Sequence, residues 1–362
     1  MQDPKNYSYK VYDNINEHLI LEWKKLEENS NCNVFQTIDW VSNWYEYIGK
    51  NYAKELFIVF IFSNKTLIGI FPLCIKKSLF LNILLWTGYP FNDLAFPLIS
   101  KEINFNKNIF INIFKEIIDK SKTRIDLVYF KNQVENNKGS ELLNPLTGFF
   151  KKKSIQDLNY YIDYSKYIPI FDQRKLNQFN KIPKLNFIFD VTEKEERKRV
   201  LKFILDNKEI QFKNNKLWNF LKIKNYKLFV ENISKNTIIS YIKTKDNIIV
   251  AAHFGYKYKG IYYYILPVYN PVFQNISPGL NLLNLLVTNL YSKNYKYFDL
   301  TIGSEFYKVN FSNSCLNIYC YYNYYSFLGF VYYLLFIVLL SQIRKSMFYS
   351  IFRKIYYNFK NE

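Results

Sequence analysis

The chain has 362 residues, 49% of them hydrophobic and 20% aromatic, which is enough apolar material for a sizeable core and excludes disorder as its main state. Its formal charge of +19 invites a nucleic-acid reading, but Lys, Asn, Ile, Tyr and Phe are all heavily used and share A/T-rich codons, so a biased genome raises lysine everywhere. The remaining excess favours anionic ligands such as CoA, lipid head groups or RNA, and a nucleic-acid partner is not expected without a localised basic stripe.

The four cysteines lie far apart except for Cys315 and Cys320, form no CxxC pair, and are joined by only two histidines, His18 and His253. Zinc and iron–sulfur patterns are therefore missing, and no metal is expected. Residues 1–10 are polar and no apolar run follows them, so no signal peptide is read and a cytoplasmic setting with reduced thiols is expected.

In chain order, Asp39–Ile48 carries Trp40, Trp44 and Tyr47 at helical spacing. Leu56–Phe62 and Leu67–Ile75 are apolar runs of strand length, parted by Ser63-Asn64-Lys65. Leu79–Trp86 reads as a third strand, followed by the turn-rich loop Thr87–Asp93. A helix over Ile109–Ile118 and a buried strand over Ile125–Phe130 come next. The polar stretch from Lys131 to about Lys153, and an irregular connector to about Lys184, carry the domain boundary.

Beyond it, Thr192–Leu205 and Leu217–Ile233 predict helices. Ile238–Lys243, Ile248–Tyr256 and Ile261–Val268 predict consecutive antiparallel strands, turning at Asp246-Asn247 and Lys259-Gly260. A helix over Leu280–Tyr291 and a strand over Tyr297–Thr301 complete the set. Both halves thus give meander, helix, strand. That order predicts an α+β fold of mixed sheets flanked by helices, doubled along the chain. The expected division is 1–165, 166–325 and a tail, 326–362.

Asn247–Phe311 is the informative stretch. Ser277-Pro278-Gly279 stands between an aromatic strand and a leucine-rich helix; proline at the helix entry costs little, and glycine lets the backbone come close to a bulky anion. The free N–H groups and positive dipole end then suit a pyrophosphate, although an ordinary capped helix start has the same three residues.

Context adds to this. Ala251-Ala252-His253-Phe254-Gly255, Tyr262-Tyr263-Tyr264, Tyr269-Asn270-Pro271, Ser277-Pro278-Gly279-Leu280, Phe298-Asp299-Leu300 and Gly303-Ser304-Glu305-Phe306-Tyr307-Lys308 follow in order. Together they resemble the CelD/BcsL group of GNAT-type acetyltransferases, associated with cellulose and other exopolysaccharide pathways. Asn270 stands where that pattern has aspartate, and Thr301 where it has a glycine. In the first half, Phe35-Gln36-Thr37-Ile38-Asp39-Trp40, Leu67–Leu73 and Asn92-Asp93 resemble its remaining elements.

The resemblance implies two tandem GNAT-like halves, the first degenerate. Acetyl-CoA or another acyl-CoA would bind the second half through Ser277, Pro278, Gly279, Leu280 and Asn281. A small amine or amino-sugar acceptor of the envelope would lie between the halves and attack the thioester. Such chemistry needs a base, a donor for the thioester oxygen and an acid for the leaving thiolate. His253 is a candidate base or a satisfied core histidine. Glu305 is a candidate base or a helix-start acid, and Tyr307 a candidate acid or a packing aromatic. Lys308 could pair with phosphate or with an acceptor carboxylate. Asp93 and Tyr269 are acceptor-side candidates, and Asp299 reads as a structural hydrogen-bond partner. Two alternatives stand beside this reading: a FemAB-like transferase fed by aminoacyl-tRNA, and a non-catalytic envelope scaffold.

Phe327–Leu340 is apolar but reaches only roughly 21 Å as a helix, short of a ~30 Å hydrocarbon core. Ile343, Met347, Ile351, Ile355 and Phe359 then recur every fourth residue, with Arg344, Lys345, Arg353, Lys354 and Lys360 largely opposite. This basic amphipathic pattern predicts peripheral contact with the anionic inner face of the cytoplasmic membrane, the other reading being a helix packed on its own core or on a partner.

Overall fold

The computed structural model describes residues 7–101, 107–135, 144–146, 149–150, 152–166, 185–215, 217–234, 237–303 and 305–335. The chain forms two compact units, Met1–Gln156 with Tyr319–Glu362, and Asp157–Ile318.

In the first unit, β1 (Tyr7–Tyr12), β2 (Glu55–Ser63), β3 (Thr66–Ser78) and β4 (Leu81–Trp86) are antiparallel neighbours in that order. The short β5 (Leu98–Ile99) also pairs with β3. β6 (Leu127–Gln133) lies parallel to β4, and Tyr319–Tyr324 at the end of the last strand, β13 (Ser314–Tyr324), pairs antiparallel with β6. Strand β2 reads as an unbroken apolar run because both its faces are covered. Phe57, Val59 and Ile61 join the core built on Phe110, Phe114 and Ile117 of helix α3 (Lys107–Asp119). On the other face Phe60 meets Trp23 of α1 (Glu17–Glu28) edge-on. The turn between β2 and β3 is Asn64-Lys65, both at positive φ, as a two-residue hairpin of this twist requires.

Three local expectations shift. Leu79 has φ +55° and belongs to the β3–β4 turn, so the third strand begins at Leu81. The helix expected to Ile48 is α2 (Ile38–Trp44), capped by the Thr37 hydroxyl, and passes into one wider π turn at Tyr45–Gly49. β1 and α1 are not among the predicted elements, although Leu19, Trp23 and Leu26, all buried, recur at helical spacing along α1.

The second unit orders its strands β7 (Lys152–Asp163), β12 (Tyr297–Ile302), β11 (Ile261–Tyr269), β10 (Ile249–Tyr258), β9 (Ile238–Lys243), β8 (Asn186–Ile188). Strands β8 to β11 form an antiparallel meander, while β12 runs parallel to β11 and antiparallel to β7. Helix α4 (Lys194–Asn214) is longer than its predicted span, and α5 (Lys224–Ile233) starts later, after a 3-10 turn at Phe220–Lys222. Helix α6 (Pro278–Ser292) packs Leu282, Leu283, Leu286, Val287 and Leu290 on Val250, Tyr262, Tyr264, Phe298 and Leu300 of the sheet. A short α7 (Phe306–Phe311) follows β12. Strand β7 lies in the stretch expected to be connector, where Leu158, Tyr160 and Ile162 alternate within a polar surround.

Each unit therefore has meander, helix and a strand returning parallel to the meander's last member. In neither does that parallel pair run far. β4 and β6 are paired only at Ile83–Leu84 against Leu127–Val128, and β11 and β12 only at Ile261–Tyr263 against Tyr297–Asp299. Among the described residues no helix is long and apolar enough to cross a membrane. Helix α8 (Phe327–Tyr332) opens the tail, and the basic amphipathic pattern from Ile343 lies outside the described residues.

Candidate functional site

Where β11 leaves β12, the second unit opens a cavity of ≈ 550 Å³. Strand β11 continues alone on that side to Tyr269 and carries a bulge. Between the pairs Ala252–Val268 and Phe254–Ile265 two residues, Leu266 and Pro267, oppose one, and Leu266 has φ +45°. The proline cannot donate to a ladder, and its place inside a strand marks the bulge in the sequence. The free strand edge presents backbone groups to the cavity instead of to a neighbour.

The second wall is the start of α6. Ser277 is in the left-handed region (φ 51°, ψ 53°) and makes no side-chain cap. Leu280 and Asn281 turn their N–H groups back to the Ser277 carbonyl, at 3.1 and 3.2 Å, and Pro278 has none. The Gly279 N–H is then the donor this helix end leaves over, at the positive end of the dipole. A Cβ at Gly279 would meet only Tyr269 Cδ1, at 3.6 Å, so the position has room for a side chain.

The third wall follows β12. Glu305 and Tyr307 both line the cavity. Burial, and secondarily Glu305, push the Tyr307 phenol above its ordinary range, so it stays protonated. The Glu305 carboxylate is about half exposed and lies 3.0 Å from Lys308 Nζ.

The fourth contributor is Lys208 on α4, whose Nζ reaches the Pro267 carbonyl at the bulge (3.3 Å) and Gln211 Oε1 (3.4 Å). Burial pushes its pKa down to about 8, against an upward pull from Glu305 and a downward one from Lys308. Sequence reading missed this residue among the lysines of α4. The signal was its phase, since Lys208 continues the stripe Val200, Ile204, Phe212, all buried, at four-residue steps.

The predicted site residues divide accordingly. Tyr269, Ser277, Pro278, Gly279, Leu280, Glu305 and Tyr307 meet at one cavity. Asn281 is buried beneath it, its Nδ2 donating to the Ile276 carbonyl at 2.7 Å, and so holds the turn. Lys308 is 4% exposed and donates to the Ile302 carbonyl at 2.5 Å. Its amine lies where a side chain at Gly303 (φ +129°) would go, which ties the glycine and the lysine of that motif together structurally. Asp93 belongs to the first unit, half-buried in the loop after β4.

His253 is fully buried and does not line the cavity; its Nε2 lies 2.7 Å from the Tyr262 hydroxyl, and burial pushes its pKa down to about 3. Gly255 makes room for the same ring, since a Cβ there would lie 2.7 Å from Tyr262 Oη. All five residues of the Ala-Ala-His-Phe-Gly run are buried. Asn270 caps the 3-10 turn Pro271–Ile276, accepting from Val272 N at 3.1 Å. Asp299 accepts from Asn159 and from Thr301 N, each at 2.7 Å, and holds Thr301 at φ +63°, the conformation for which the family pattern has glycine. Among the described residues no group of three or more metal-ligating side chains comes together.

Residues 227–309 match the family model of the acetyltransferase (GNAT) domain. That match lies within the second unit. The match includes the bulged strand, the α6 start and the Glu305–Tyr307 wall. Among solved structures, FemX has the same fold at a TM-score of 0.61 and 10% identity, over 91% of this chain and 99% of that one. L-PGS from Bacillus licheniformis is similar at a TM-score of 0.53 and 12% identity, over 87% and 94%. No curated protein matches the sequence. The domain match and the GNAT fold, doubled along the chain, support an acyltransferase, and GNAT domains use acyl-CoA.

Proposed function

We propose that the chain is an acyl-CoA-dependent N-acyltransferase whose donor, acetyl-CoA in the first instance, occupies the cavity between β11, α6 and α7. The observation that carries this reading is the convergence of a splayed, bulged strand edge with an uncapped helix start. The helix start suits the pyrophosphate, with the Gly279 N–H as donor. The free β11 edge suits the thioester, where a backbone N–H would stabilise the oxygen as charge builds on it.

In the reaction the acceptor nitrogen bonds to the thioester carbon, the carbon–sulfur bond breaks, and the nitrogen loses a proton. Glu305, 3.0 Å from Lys308 Nζ, is the group we assign to accept that proton. Lys208 fixes the bulge carbonyl and adds positive charge near the donor. Tyr307 serves the leaving sulfur as a hydrogen-bond donor. An ordinary thiol has a pKa of ~8.5, well below this phenol, so the thiolate can depart without taking the proton. His253 has no part in this scheme.

The narrower likeness to exopolysaccharide-associated acetyltransferases supports an amino sugar or other envelope amine as acceptor, with Tyr269 as a candidate to contact it. The tail pattern supports work at the inner face of the cytoplasmic membrane. A second reading, with aminoacyl-tRNA as donor, draws on the formal charge of +19 and on the FemX-like fold. Thermal shift against acetyl-CoA, longer acyl-CoAs and charged tRNA tests both. Stabilisation by acyl-CoA that is lost in Gly279→Glu or Gly279→Asp supports the proposal. Stabilisation by charged tRNA alone replaces it with the second reading, and stabilisation by none refutes both.

A further inference from the structure

The first unit has a cavity of its own, ≈ 160 Å³, bordered by Ile83, Leu85 and Trp86 of β4 and by Tyr129 and Lys131 of β6, where those strands part. In the order meander, helix, parallel strand it is the counterpart of the acyl-donor cavity. Its chemistry is different. Among the described residues no carboxylate lines it, and two lysines do. Lys76 on β3 holds its Nζ 4.2 Å from the ring centre of Tyr52, and Lys131 on β6 lies 5.2 Å from those of Tyr89 and Tyr129. The described residues give neither lysine an ion pair. Burial, and further Lys131 itself, depress the Lys76 pKa, as two like charges sharing a partly desolvated space must.

Both lysines are half-buried, and a partly buried charge without a carboxylate to pair it is a cost. Aromatic faces offset part of that cost. The wall therefore presents two positive charges and, among its described lining residues, no carboxylate to answer them.

We propose that this cavity binds a phosphate ester group, with Lys76 and Lys131 as its charge partners. A lipid head group and a phosphorylated small molecule share that chemistry. The turn that follows Ser78 on the cavity's wall makes the lipid the first source to test, because Leu79 is 70% and Phe80 87% exposed there. Two large apolar side chains at a hairpin tip beside a cationic hollow suit an interface of acyl chains and phosphates.

The test uses the full chain and does not involve acyl transfer. Binding is measured for inorganic phosphate, a hexosamine phosphate, and vesicles of phosphatidylglycerol or phosphatidylcholine. The variants are Lys76→Met, Lys131→Met, the neighbouring exposed Lys77→Met as control, and Lys76→Arg to restore charge should the methionine variant fold poorly. The proposal expects affinity for at least one phosphate probe to fall tenfold or more in Lys76→Met and Lys131→Met and to persist in Lys77→Met and Lys76→Arg. The free Met variants should melt at or above the wild-type temperature, since they lose mutually repelling charges. Leu79→Ser with Phe80→Ser separates the sources, abolishing vesicle binding if the phosphate is a lipid's and sparing soluble phosphate otherwise. Equal affinity of wild type and both Met variants for every probe, or no binding of any, overturns the proposal and assigns the lysines to cation–π packing. Acetyl-CoA binding should be untouched in all variants, so failure here leaves the acyl-donor cavity standing.

Discussion

Replacing Gly279 by glutamate places a carboxylate at the second position of α6, where the proposed pyrophosphate meets the free N–H. The fold should tolerate it. A Cβ there makes only an ordinary contact with Tyr269 Cδ1 at 3.6 Å. Glycine in a helix gives up ~1 kcal/mol to better helix formers, and an acid in the first turn adds ~0.3–1 kcal/mol through the dipole. Stability should therefore hold or rise by about 1 kcal/mol. Binding should move the other way. Two like unit charges about 5 Å apart near a protein surface, at an effective dielectric of ~20, repel by ~3 kcal/mol, which is roughly a hundredfold in Kd. Calorimetric titration of acetyl-CoA together with thermal denaturation reads both quantities, and Gly279→Ala serves as the steric control with a change of only a few fold. If Gly279→Glu melts normally and binds acetyl-CoA within threefold of wild type, the donor's phosphates lie elsewhere and the helix-start argument fails.

Glu305→Gln should lower turnover by ~10²–10⁴ with little change in acyl-CoA affinity, and Tyr307→Phe should lower it less, since it removes one hydrogen bond and no obligatory proton; steady-state kinetics beside binding isotherms separate the two. His253→Gln should leave turnover per folded molecule unchanged while altering acid stability. The native pKa of about 3 lies below the unfolded value of 6.5, so the unfolded state binds the extra proton and stability falls as pH drops from 6.5 toward 3, a loss the variant should lessen in acid-unfolding curves. Lys208→Met follows the same sign at higher pH. Its native pKa of about 8 lies below 10.5, so the charged lysine's cost is full below pH 8 and fades as pH rises to 10.5; the variant should be stabilised at pH 7 and that gain should shrink by pH 10. Thr301→Gly should relieve a β-branched residue held at φ +63°, raising stability by ~1 kcal/mol net of the glycine's chain entropy, measured by denaturant melts.

The meander, helix and strand of the second unit were legible because each strand is an apolar run bounded by turn residues that the backbone uses as such, Lys259-Gly260 at positive φ among them. β7 was not, because its alternation of Leu158, Tyr160 and Ile162 sits behind three lysines and gains its meaning from pairing with the distant β12. The site divides on the same principle. Gly279, Glu305 and Tyr307 belong to short local motifs whose geometry follows from the chain nearby. Lys208 lines the cavity and His253 does not, and those placements depend on Tyr262 nine residues on and on a bulge fifty-nine residues on. A histidine between apolar residues attracted a catalytic reading, and a lysine among lysines attracted none.

The amine of Lys308 fills the space that the missing side chain of Gly303 leaves, and Glu305 leans on the same spot: a Cβ on the glycine would collide with Glu305 Oε2 and lie 2.9 Å from Lys308 Nζ. These three positions are therefore one heritable unit. A lineage that drifts to any larger residue at 303 must evict the lysine, uncovering the Ile302 carbonyl and stripping Glu305 of its counter-charge in the same event. Divergent copies of this domain should either keep glycine, acid and lysine together at that spacing or abandon all three, and single replacements among them should be purged faster than replacements of the phenol that they frame.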